Sequence, residues 1–80
     1  MNIDTSFLST LPRKMRKLLR NFAKQPTERN ACYATGYLAG ALDSESLCRD
    51  HYSHLLKLVN AAEADPTFAR ELFLTLEQLP

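Results

Sequence analysis

Asn30-Ala31-Cys32-Tyr33-Ala34-Thr35-Gly36-Tyr37-Leu38-Ala39-Gly40-Ala41-Leu42 is the stretch on which the fold turns: thirteen residues without a charge in a chain of 80. Both glycines of the protein lie in it, four residues apart. At helical spacing Ala31, Ala34, Leu38, Ala41 and Leu42 share one face, and Tyr33, Gly36, Tyr37 and Gly40 the opposite one. A helix that is apolar all round is buried on more than one side. The sequence therefore predicts a second helix over about residues 28–42 at the centre of the fold. Thr27 is its N-cap, and Glu28 faces the positive end of its dipole.

On the N-terminal side, Asp4 or Thr5 caps a short turn through Phe7 and Leu8. Pro12 suits the opening of a first helix over about residues 11–23, and Pro26 ends it. Leu11, Met15, Leu18, Leu19 and Phe22 form its apolar stripe. Arg13, Arg16, Lys17, Arg20 and Lys24 form the opposite arc, with Lys14 at its edge. On the C-terminal side, Asp43 and Ser44 offer a cap for a third helix over about residues 44–62. The link to it is very short, so helices two and three form an antiparallel hairpin. Asp65-Pro66 starts a fourth helix that runs to about Gln78, with Asp as N-cap and Pro in the first position. Phe68, Leu72, Phe73, Leu76 and Leu79 share its apolar face, and Leu74 points away from them. The expected fold is all-α, a compact four-helix bundle with a central antiparallel helix hairpin, in a single domain over residues 1–80.

Composition supports this: 45% of residues are hydrophobic, which excludes a disordered chain. Charge is unevenly spread. Residues 1–24 hold six basic residues against Asp4, and residues 25–80 hold four basic and eight acidic ones, so a basic end precedes an acidic remainder. The first residues lack a signal-peptide layout, because their charges follow the short apolar patch. No apolar run approaches the ~18–20 residues that span a bilayer. With two cysteines and no disulfide framework, a cytoplasmic location is expected, with no membrane association.

Four constellations bear on function. Cys48, His51 and His54 have a spacing that places metal ligands on one helix face, and Cys32 is a further candidate. In a hairpin turning at Asp43, however, Cys32 lies level with His54 rather than Cys48. The sequence reading takes Cys48 and His51 as core residues and assigns no metal. Nor does it assign a catalytic cysteine, since Cys32 and Cys48 sit among apolar residues, where thiols are usually buried and inert. No glycine-rich loop is present to hold an oxyanion or a phosphate. No enzyme activity and no cofactor are therefore expected.

The other two are surfaces. The basic arc of Arg13, Arg16, Lys17 and Arg20 suits an acidic protein surface or nucleic-acid phosphates, if it is not simply solvated. Gly36 and Gly40 each cost about 1 kcal/mol in a helix interior relative to alanine. They allow close approach of another helix of the same chain or of another molecule. In the second case Tyr33 and Tyr37 would be anchors, a role in which tyrosine is enriched.

The run Ala34-Thr35-Gly36-Tyr37-Leu38-Ala39-Gly40-Ala41-Leu42, followed by a capped helix, resembles small helical proteins encoded by phages and prophages. The resemblance implies binding and blocking of a host protein, such as a defence or regulatory protein. The sequence thus leads to the expectation of a non-enzymatic inhibitor or adaptor that occludes a partner's surface and forms a homodimer. Its interface residues would be Tyr33, Gly36, Tyr37, Gly40, Arg13, Arg16, Lys17 and Arg20. The competing expectation is a nucleic-acid-binding module that uses the basic first helix.

Overall fold

The computed structural model describes residues 5–79, and all regular structure among them is helical. A 3-10 turn over Ser6–Thr10 comes first. Four helices follow: α1 (Arg13–Lys24), α2 (Glu28–Asp43), α3 (Arg49–Ala64) and α4 (Pro66–Glu77). Each helix packs on its neighbour in sequence, and α1 packs on α4 to close the ring. The α1–α4 seam is the most extensive contact and the α1–α2 seam the least. This is the expected all-α four-helix bundle, with α2 and α3 as its hairpin.

Two caps act as the sequence predicts. The Thr27 hydroxyl accepts from the Asn30 backbone N–H at 3.1 Å, and the Asn30 side chain donates to the Gln25 carbonyl at 2.8 Å. The Asp65 carboxylate accepts from the Thr67 N–H at 3.0 Å, and Pro66 opens α4. Asp65 is also the C-cap of α3, so one residue joins the two helices. Thr5 sits at the cap of the 3-10 turn but makes no side-chain cap bond. Asp4, the other candidate, lies outside the described residues. The turn is held by its own backbone, with Leu8 N–H donating to the Thr5 carbonyl and Leu11 N–H to the Leu8 carbonyl. It sends Phe7 and Leu8 into the core.

The start of α3 differs from expectation. Ser44 ends α2 and does not begin α3. Its hydroxyl lies 3.2 Å from the Ala41 carbonyl, and its N–H donates to the Gly40 carbonyl. Glu45 N–H then donates to Leu42 and Ser46 N–H to Ala41, the paired bonds of a Schellman ending. That ending needs a left-handed residue, and Glu45 supplies it at φ 62°. Leu47 is buried beneath the turn, and Cys48 becomes the N-cap of α3 without a side-chain cap bond. Left-handed backbone is costly for a residue with a β-carbon. Glu45→Gly is expected to raise stability by about 1 kcal/mol, read as a higher urea midpoint at unchanged slope.

The core runs through all five elements and draws equally on α1, with Met15, Leu19, Phe22 and Ala23, and on α3, where Leu55, Leu58, Val59 and Ala62 are fully buried. By contrast α2 buries only Ala31, Ala34 and Leu38. The expected cover of α2 on more than one side comes from α1 and α3, and it leaves one side open. In a closed ring each helix has two neighbours and one outer face, and the outer face of α2 carries Tyr33, Gly36 and Gly40.

Candidate functional site

Tyr33 and Leu74 are the large apolar side chains left exposed among the described residues, at 69% and 48%. They mark two separate surfaces.

The first is the outer face of α2. Among the described residues, and apart from the helix's own backbone, nothing lies within 4 Å of where a β-carbon would sit at Gly36 or Gly40. Among the described residues, the two glycines therefore serve no close approach inside the chain. Tyr33 stands at the edge of this face, over a hollow of about 380 Å³ on the loosely packed α1–α2 seam, where Leu18 and Asn21 also line it. Tyr37 is placed differently: it is half-buried and packs against the core. Of the four residues expected on this face, three stand open and Tyr37 is shared with the interior.

The second surface is the α1–α4 seam. Arg13, Arg16, Lys17 and Arg20 line one hollow of about 400 Å³, walled on the far side by Leu76 and Leu79. Their spacing on α1 brings them together, as the sequence indicated, and Arg16 is half-buried there. Further along the seam a second hollow of about 410 Å³ is mostly apolar, with Pro26, Pro66, Phe73 and Leu74 in its lining and Lys24 and Arg70 at its rim. Sequence reasoning missed this hollow. The out-of-register Leu74 was the one signal for it.

The local chemistry of α1 is unfavourable where the cations gather. Its N-cap is Pro12, which makes no side-chain bond, and its first turn holds no acidic residue. Arg13 and Lys14 instead crowd the positive end of the helix dipole.

The Cys48–His54 segment has other duties. Phe7 stacks on His51 with ring centroids 4.8 Å apart and also meets His54 at 5.5 Å. His54 Nδ1 donates to the Asp50 carbonyl at 2.8 Å. Cys32 and Cys48 are free thiols, and both are exposed, which corrects the expectation that they are buried. Among the described residues no three His, Cys, Asp or Glu side chains gather closely enough to hold a metal ion. Nor is any helix there long and apolar enough to cross a membrane. No family profile, curated protein or solved structure matches this chain.

Proposed function

We propose that this is a non-enzymatic protein-binding protein, a small inhibitor or adaptor that covers a surface of its partner with the outer face of α2. One observation carries the reading: Gly36 and Gly40 lie open, beside the exposed Tyr33. Two glycines weaken the helix, and no described residue of the chain needs them for close packing. A partner helix approaching that face would find a flat floor with an aromatic anchor at its edge. In keeping with the resemblance to phage-encoded helical proteins, the partner would be a host protein with a defence or regulatory role.

The test is affinity capture from the native cell with the wild-type chain and with Gly36→Leu in parallel. The open space around Gly36 lets that variant fold, which circular dichroism checks. A protein held stoichiometrically by the wild type and lost by the folded variant supports the reading. A protein held equally by both overturns it. So does a wild-type chain that sediments as a dimer through this face and holds nothing else, since self-association would then explain the glycines.

A further inference from the structure

The hollow between α1 and α2 lies on the least extensive of the four seams and holds about 380 Å³. That is near the small end of the range of about 300–1,000 Å³ for small-molecule sites. Its lining has two characters. Phe22 is buried and Leu18 half-buried, and they supply an apolar part. Asn21, Gln25, Asn30 and Tyr33 add three carboxamides and a phenol. The carboxamide end is braced by the corner that joins the two helices. The Gln25 carbonyl accepts from the Thr27 N–H and from the Asn30 side chain, both at 2.8 Å, and the Asn30 backbone N–H donates to the Thr27 hydroxyl at 3.1 Å. Pro26, inside that corner, has its φ fixed by its ring. Asn30 thus commits one amide N–H to the backbone, which sets the orientation of its other N–H and of its oxygen. Lys14, Leu18, Asn21 and Gln25 follow one another at four-, three- and four-residue steps. The exposed Lys14 therefore stands on the stripe of α1 that lines the hollow, about 6 Å along the axis from Leu18.

We infer that this hollow takes a nucleobase, with the phosphate of the same nucleotide toward Lys14. A base is a flat ring with an apolar face and an edge that carries donors and acceptors. Leu18 and Phe22 suit the face. The carboxamides, each with donors and an acceptor, suit the edge. Asn and Gln pair bidentately with adenine, which makes adenine the expected base. The exposed Tyr33 supplies a ring for the base to stack on. A pre-set Asn30 lowers the cost of ordering the site when the ligand arrives. The base comes from a free nucleotide or from a single strand, and the two share this chemistry. The site shares Tyr33 with the outer face of α2 but needs neither glycine, so it does not depend on the protein partner proposed for that face.

The probe is adenosine monophosphate, titrated into the full chain and followed by the side-chain amide signals of Asn21, Gln25 and Asn30 in nitrogen-15 NMR. Saturable shifts of these signals are expected. Tyr33→Ala and Asn21→Ala, both at exposed positions, are each expected to weaken binding about 10-fold. Lys14→Glu is expected to weaken the monophosphate about 5-fold and to leave adenosine unchanged. Circular dichroism shows whether each variant keeps its helices. An oligomer of about ten deoxyadenosines identifies the source. Binding at least 10-fold tighter than the monophosphate supports a strand, and equal binding supports a free nucleotide. The inference is overturned if the monophosphate produces no saturable shift, or if folded Asn21→Ala and Tyr33→Ala both bind as the wild type does. It is also overturned if inorganic phosphate or glucose shifts the same amides as strongly, which would leave the base without a part in recognition.

Discussion

Replacing Gly36 and Gly40 together by alanine is expected to stabilise the chain by about 2 kcal/mol. Each substitution removes a helix-interior glycine, at about 1 kcal/mol apiece. The added β-carbons meet nothing, so no packing strain offsets the gain. For a domain of this size the melting temperature should rise by about 8–16 °C, measured by circular dichroism at 222 nm. A fall would mean that the face is covered within the chain after all. A rise, together with loss of partner binding, would show that this helix gives up stability for what it meets outside.

Leu8→Ala is expected to cost about 2–5 kcal/mol, the range for truncating a fully buried leucine. Leu8 is 0% exposed although it sits in a single 3-10 turn ahead of the first helix. A chain of 80 residues has roughly 4–12 kcal/mol of stability in all, so this change removes a large part of it. Ser9→Ala, on the exposed side of the same turn, should stay within about 0.5 kcal/mol. Urea titrations of the two variants compare them directly. If Leu8→Ala loses no more than Ser9→Ala, the turn is an appendage and not a fifth element of the core.

Much of the fold could be read from local chemistry. Thr27, Pro26 and Asp65-Pro66 punctuate the chain through bonds to their near neighbours, and the helices they bound lie where expected. The start of α3 could not be read so. Asp43 and Ser44 have good capping side chains, but the chain uses Ser44 to close α2. It then spends Glu45 on a left-handed residue, a position where glycine would have been the visible signal. Periodicity also showed which residues share a face, though not what the face meets. Arg13, Arg16, Lys17 and Arg20 were grouped correctly because they share a helix. Their leucine wall was invisible because Leu76 and Leu79 come from the far end of the chain. For the same reason the sequence left open what the Gly36/Gly40 side of α2 meets: an uncharged helix shows its faces but not its neighbours.

The ring closes only when α4 meets α1, and that has a consequence during synthesis. About 40 residues separate Lys24 from Pro66, and the whole of α4 must follow. At roughly 5–20 residues per second, α1 waits some seconds with Met15, Leu19 and Phe22 uncovered. The hairpin of α2 and α3 can form in that interval, but the broadest contact of the bundle cannot. The nascent chain is therefore most open to aggregation just before α4 emerges. The yield of folded protein is accordingly sensitive to the pace of translation across residues 25–65, as well as to the stability of the completed bundle.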